Sequence, residues 1–573
     1  MKHFRILFLL MATLIGRGAA LAQVAKIGET AYQTLADAVD AVPHNNVETT
    51  IVLIADALCS SYIDIQLNEN VVIDLQSHTI KRSLTSATAL GHVIQVSEGG
   101  TLTIKDTSAE HAGKVTGGWS TGDGGGIINQ STLILKDVAV TGNTSAGKGG
   151  GIFCSAKATT LTIEGGAVTD NTSAGDGGGI YSSSSATLTI EGGSVSNNEA
   201  ATNGGGIHIA GGNNNSIANC TIQGNKTTVN SNGFGAGIYV GGGTVTVAGC
   251  TINSNIGQNQ GGGVFVNAGT VTITNTQING NSAYANATGG GIYLNGGTLT
   301  IDGGEIKGNI CTKSDNKGTG LYYNGGTLNI KGQVEVSGNY WDSNPTKTNN
   351  QYLPSGTVTT NYGNIYLPTG KKITVTGSLS GSQIGVTLQT QTNVFTSGLE
   401  GYGDETCFTS DKTNLVVGLN SSHEAILGSP VTLTFNANGG TGTMDSKTIA
   451  TNSYCTLPEC TFTHSVATMA FDSWNTKADG SGTDYAGNAF AGPFSAATTL
   501  YAQWYNTNSS QAAIGDTQYE TLQQAINAVT TGGATPTTIT LLRHVTNGDA
   551  LTISGSKNLT IDFGGYTYDV GGS

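Results

Sequence analysis

From residue 124 onward, hydrophobic positions recur in three short alternating runs per repeat, separated by glycine-rich turns. The first run follows a glycine block and opens on Ile127, Ile152, Ile180, Ile207, Ile238, Val264, Ile292 and Leu321, at intervals of 25 to 31 residues. The second reads Thr-Leu-Thr-Ile or a close variant and starts at 101, 132, 160, 187, 244, 270, 298 and 327. The third ends each repeat as aliphatic-x-x-Asn, with Asn143, Asn171, Asn198, Asn225, Asn255, Asn281, Asn309 and Asn339. Alternation with period two predicts strands. In the repeat from 237, Ile238, Val240, Val245, Val247, Cys250 and Ile252 fall on one side and Tyr239 on the other. Three strands that send their aliphatic groups inward close into a coil of about 27 residues. One coil cannot bury its own core, but a stack of coils can. Equivalent strands then pair in parallel about 4.8 Å apart, so eight coils make a rod of about 40 Å. The asparagines fall at one position per coil and can hydrogen-bond in a ladder along the axis. No run keeps a 3.6-residue period, which excludes a helical repeat.

These motifs resemble the right-handed parallel β-helix, or pectin-lyase-like, family. More narrowly, the GGGI and [VI]xxN pair is similar to the GGA[ILV] and FxxN repeats of chlamydial polymorphic outer-membrane proteins, which are surface adhesins. Here a third Gly stands in place of Ala, and Val or Ile in place of Phe, as at Val140–Asn143 and Ile278–Asn281. The resemblance implies an all-β, right-handed solenoid and a surface role.

The flanks extend this picture. Residues 27–42 carry Leu35, Val39 and Val42 at helical spacing, predicting a short amphipathic helix that covers the open end of the first coil. The same text returns at 514–529, and Ile73-Asp74 finds its match in Ile561-Asp562, so a second cap begins there; it reads either as the start of a longer protein's next segment, the favoured expectation, or as a duplicate cap that packs on something else. Residues 346–428 keep strand alternation without the glycine block and read as the last, irregular coils. Val431–Phe435, Asn438–Gly440, Phe471–Trp474 and Thr499–Trp504 resemble the Listeria–Bacteroides, or internalin B-type, repeat, which implies a small β-grasp-like extracellular module. At the other end, Lys2 and Arg5, the apolar run Ile6–Ile15 and Ala20-Leu21-Ala22 form a secretory signal pattern. The expected organisation is a signal peptide at 1–22, cap and first coils at 23–90, β-helix at 91–428, module at 430–505, linker at 506–512 and second cap at 513–573.

Composition narrows the function. The net charge is −14 and Arg occurs four times, so a nucleic-acid partner is not expected. Gly accounts for 86 of 573 residues and charged residues for 11% of the chain, as a folded, turn-rich β protein of low charge would have. The eight Cys form no zinc-type spacing, and neither cofactor nor metal is expected. Cys220 and Cys250 share a repeat position inside the core, where either thiols or a disulfide fits the spacing.

The candidate binding feature is an outward column on the first strand, Phe153, Tyr181, His208, Tyr239, Phe265, Tyr293 and Tyr322. Such rings offer a glycan or protein rigid contact area, or they stack on one another and stabilise the sheet. Thr-x-Thr pairs form a second column, at Thr101/Thr103, Thr160/Thr162, Thr187/Thr189, Thr244/Thr246 and Thr298/Thr300, broken at Ser216. Flat threonine arrays occur in ice-binding solenoids, but Thr is also an ordinary strand residue. Glu164 and Glu191 occupy one position in adjacent coils, at a spacing suited to a retaining glycosidase, yet without a basic partner at that position. Asp123, Lys148 and Asp176 precede successive glycine blocks as a charge ladder. The expectation is a secreted or cell-surface protein that binds or spaces, without catalysis. Its partner would be an extracellular glycan or a host or matrix protein, with no transmembrane helix once the signal is removed. The alternatives are a polysaccharide-active β-helix enzyme and a structural stalk.

Overall fold

The computed structural model describes residues 22–570, apart from 157, 230–231, 285–286, 313–317, 343–345, 349–350, 354–362, 392–393 and 508. The expected signal segment therefore lies outside the described residues, except for Ala22. The chain divides into two compact units. The first is 1–390 with 401–403 and 407–411, and the second is the remainder, chiefly 412–573.

The first unit is a right-handed parallel β-helix of about 11 turns. Its first strands pair in register from Ile94–Val96 through Ile127–Asn129 and Ile152–Cys154 to Ile292–Leu294 and Leu321–Tyr323. The second strands do the same, with Leu102, Leu133, Leu161 and Leu188 stacked one over another. The core is therefore a set of aliphatic columns. Ile238, Val240, Val245, Val247, Cys250 and Ile252 all point into it and are at most 2% exposed. Nine successive coils also have a fourth strand of two residues that the alternation did not reveal. Trp119–Ser120, Thr144–Ser145, Thr172–Ser173 and six later pairs form a separate nine-stranded sheet just after the asparagine position. Two residues are too few to display a period.

The glycine block has steric causes that differ along its length. Gly149 has φ +67°, and a Cβ there would meet the Phe153 Cβ at 2.8 Å. Gly151 lies in an ordinary backbone region, but its Cβ would stand 2.7 Å from the Gly179 carbonyl oxygen and 2.9 Å from the Asn171 amide nitrogen. The block lets one coil lie directly on the next.

The N-terminal cap is part hairpin. Ala25–Ile27 pairs antiparallel with Thr30–Tyr32, and the helix α1 is confined to Leu35–Asp40, capped by the Thr34 hydroxyl, which accepts from the Asp37 N–H at 3.0 Å. Its buried face is Leu35, Ala38 and Val39. At the other end, Phe408–Ser410 is the last strand of the parallel ladder. Val416–Leu419 and Ala425–Gly428, read from sequence as irregular coils, instead pair antiparallel within the second unit.

The second unit carries a five-stranded sheet in which Pro430–Asn436 and Thr498–Asn506, the first and last of its strands, are parallel neighbours. Around them Trp474, Leu433, Leu500 and Ala502 are fully buried. Beyond it, Ala512–Ile514, Thr517–Tyr519, the helix α2 (Leu522–Ala528), Thr537–Leu541 and Leu559–Asp562 repeat the architecture of the N-terminal cap.

Candidate functional site

The asparagine column forms as expected. Each side chain from Asn143 to Asn339 is fully buried and donates its amide N–H to the next side-chain oxygen at 2.8–3.0 Å. That oxygen also accepts the preceding backbone N–H, and the second amide hydrogen goes to a carbonyl of the preceding coil, as from Asn198 to Val168 at 2.9 Å. The structure adds a ninth rung, Asn364, and a terminus, Asp411, which accepts from the Asn364 amide at 2.6 Å and backbone N–H at 2.9 Å.

The aromatic column also forms, and it extends to Tyr366. Successive ring centroids lie 4.6–5.4 Å apart from Phe153 to Tyr366, the rings stacked with their planes within 26° of parallel. The rings leave the core side of the sheet but do not stand free. Tyr181, His208, Phe265 and Tyr293 are 4–8% exposed, with the glycine block folded against them. Their faces are occupied by one another, which leaves a partner only edges. Burial holds His208 down to about 4, so it is neutral between Tyr181 and Tyr239, with Asp176 3.8 Å away. Burial likewise pushes the Tyr293 phenol up to about 12. The charge ladder lies along this column. The Asp123 carboxylate accepts the Lys148 N–H at 2.8 Å, and the Lys148 ammonium donates to the Tyr181 hydroxyl at 3.1 Å.

The threonine rows are in register where they persist, as in Thr244, Thr270, Thr298 and Thr327 with Thr246, Thr272 and Thr300. Ile134 and Ser216 interrupt the second row. Glu164 and Glu191 are register partners, but Glu164 has a basic partner after all, since Lys136 precedes it in the same column and its ammonium lies 2.9 Å from the carboxylate. Sequence reading missed this pair because its members lie in different repeats. All eight cysteines are free thiols, and burial pushes Cys220 up to about 12. No group of three or more His, Cys, Asp or Glu is placed to hold a metal among the described residues.

The feature with the shape of a site was not anticipated. From residue 270 the second and third strands of a coil merge into single strands of 10 or 11 residues, Thr270–Asn279, Thr298–Lys307 and Thr327–Ser337. A cleft of about 560 Å³ opens along them, lined by Asn275, Gln277, Glu305, Gln333, Glu335 and Gln383 with two glycines. Gln277, Glu305, Glu335 and Gln383 form one register column. Lys307 bridges its centre, 3.0 Å from Glu305 and 2.5 Å from Glu335. That ion pair holds the Glu335 carboxyl below its ordinary range and raises Lys307. Asn279 donates to Glu305 at 2.7 Å, and the Ser337 hydroxyl donates to Glu335 at 2.9 Å. The only linear signal was Gln, Glu and Glu two or three residues after a turn residue of positive φ, Asn275, Gly303 and Gly332, which reads as ordinary surface.

No helix among the described residues is long and apolar enough to cross a membrane. No curated protein and no solved structure matches the chain. Residues 61–252 and 159–306 match the family described as a right handed beta helix region, which agrees with the coil geometry over that stretch.

Proposed function

We infer that this chain is an extracellular, adhesin-like binding module that seats a hydroxyl-rich ligand, a glycan, in the cleft along Gln277, Glu305, Glu335 and Gln383. The register column of amides and carboxylates carries this reading. Amides offer donors and an acceptor together, carboxylates accept twice, and such a set matches the paired hydroxyls of a sugar ring. The cleft volume lies within the range of about 300–1,000 Å³ usual for small-ligand sites. The signal pattern at 1–22 and the adhesin-like repeats favour an extracellular setting. The Listeria–Bacteroides resemblance at 430–505 favours the same setting and adds no chemistry.

The second reading is a polysaccharide-active enzyme, favoured by the adjacent-coil pair Glu305 and Glu335. A retaining glycosidase sets two carboxyls about 5–5.5 Å apart and needs one of them protonated. Lys307 contacts both and holds Glu335 toward its ionised form, which suits binding over acid catalysis.

A glycan array followed by calorimetry on the full chain tests the reading. Glu335→Gln and Gln277→Ala are each expected to weaken the captured glycan by about tenfold or more, with the thermal transition unchanged. The triple change Tyr181→Ser, Tyr239→Ser and Tyr293→Ser is expected to lower stability and leave the affinity of the folded fraction intact. Loss of affinity in a folded triple variant alone would move the ligand to the aromatic column. Reducing-sugar release that Glu335→Gln abolishes would replace binding with hydrolysis.

A further inference from the structure

In the cleft along Gln277, Glu305, Glu335 and Gln383 the charges are already paired within the protein. Glu305 accepts from the Asn279 amide and Glu335 from the Ser337 hydroxyl, and Lys307 lies against both carboxylates. Asn279, Lys307 and Ser337 are one register row on one flank of the cleft. On the other flank runs the row Thr274, Asp302 and Lys331, where the Lys331 ammonium lies 3.0 Å from Asp302. Three carboxylates thus meet two lysines, both lysines are held, and one negative charge is left over. The four arginines, at 5, 17, 82 and 543, lie outside this stretch of sequence.

That balance sorts ligands by charge. Carboxylate and sulfate groups are held by charge-assisted bonds from Arg or Lys, and here the lysines already have carboxylate partners. An acidic sugar would bring a further anion beside Glu305 and Glu335, and like charges set together in an interface are unfavourable. A neutral sugar fits instead. A carboxylate oxygen has two lone pairs, and the protein contacts of Glu305 and Glu335 use one on each oxygen, so a sugar hydroxyl can donate to the other. The exposed amides of Gln277 and Gln383, at the two ends of the column, can donate and accept together.

The column also sets a direction and a length. Gln277 lies over Glu305, Glu305 over Glu335 and Glu335 over Gln383, so the four side chains follow the helix axis. Their three intervals of about 4.8 Å span about 14 Å. One interval is close to the advance of one ring in an extended glycan. Equatorial linkages keep such a chain straight, whereas axial linkages coil it away from a straight row. Resting on the glycan reading of this cleft, we propose that its ligand is an uncharged, linear, equatorially linked glycan that lies along the axis with one ring per coil and four rings in contact.

Calorimetry on the full chain, with β-1,4-linked gluco-, manno- and xylo-oligosaccharides of two to six rings, tests this. In the tightest series, affinity is expected to rise by about tenfold or more from two rings to four and to level off beyond four. A four-ring oligouronate and a four-ring α-1,4-linked glucan are each expected to bind at least about tenfold more weakly. Glu335→Gln removes one carboxylate and frees Lys307 from one partner, so uronate affinity is expected to rise about threefold or more while neutral affinity falls. A damaged cleft would lower both. Gln383→Ala removes an end rung, and the levelling-off is expected to move to three rings with the thermal transition unchanged. Uronate affinity equal to or above the neutral value overturns the proposal and leaves the cleft a glycan site. Affinity that does not depend on length does the same. Absence of binding by every glycan overturns the proposal together with the reading it rests on.

Discussion

A single rung shows how the β-helix is locked from inside. Asn198 is fully buried and uses every polar atom of its side chain. Its oxygen accepts the Asn171 backbone and amide N–H groups, and its amide donates to Val168 and to Asn225. All rungs point the same way, so donors accumulate toward the C-terminal end. There the acceptor-only Asp411 receives them, with the Thr387 hydroxyl as a third donor at 2.8 Å. Asn198→Ala leaves two donors and a carbonyl unsatisfied in a dry core, a cost of about 3 kcal/mol or more. Asn198→Asp keeps the acceptor but loses the donors and buries a charge, so it is expected to cost still more at neutral pH. Urea unfolding of the three proteins, followed at pH 7 and pH 4, checks the order. Asn143 to Asn339 were legible because each closes the same short motif. Asn364 and Asp411 were not, because Asn364 lacks that motif and Asp411 is a different residue 47 positions further on.

The coil is the element in which one glycine is not equivalent to another. Gly192 has φ +78° and open space around it, whereas Gly151 has an ordinary φ and a carbonyl 2.7 Å from where a Cβ would sit. Gly192→Ala therefore pays only backbone strain, on the order of 1 kcal/mol. Gly151→Ala forces two coils apart and disturbs the Asn171 rung, at roughly 2–4 kcal/mol. Thermal denaturation of the pair is expected to rank Gly151→Ala well below Gly192→Ala, and equal shifts would mean that the coils separate at no cost. Element legibility follows the same physics. Strands whose residues lie over like residues display their period in the sequence, as Leu102, Leu133 and Leu161 do. The two-residue fourth strand, the hairpin before α1 and the merged strands from 270 depend on turns and on contacts between coils, which no single window contains. The polar cleft is made by that merging, and it stayed hidden for the same reason.

At the scale of the whole molecule, acidity acts where segments distant in sequence meet inside the second unit. Asp472, on the strand Met469–Asn475, accepts the His544 backbone N–H at 3.2 Å. Burial pushes its carboxyl up to about 6 from an ordinary 3.8, with Asp484 adding to the shift and the His544 N–H and Arg543 opposing it. A carboxyl raised on folding binds its proton more tightly in the native state. Its contribution is therefore most favourable below pH 4 and is lost as pH rises toward 6. His544 works in the opposite sense. Burial lowers its pKa, so the second unit loses stability as pH falls through 6.5, the ordinary histidine value. The raw profile is a difference of two slopes and does not isolate either group. Comparison with Asp472→Asn does, because the histidine is common to both proteins. The variant is expected to gain on the native chain between pH 4 and pH 6.5 and to hold that gain at pH 7. The gain has an upper bound of about 3 kcal/mol, reduced by solvent reaching the partly exposed carboxyl. Chemical denaturation followed by tryptophan fluorescence, with Trp474 fully buried on this strand, measures it. A constant difference between the two proteins across that range would show that Asp472 titrates as it does in the unfolded chain.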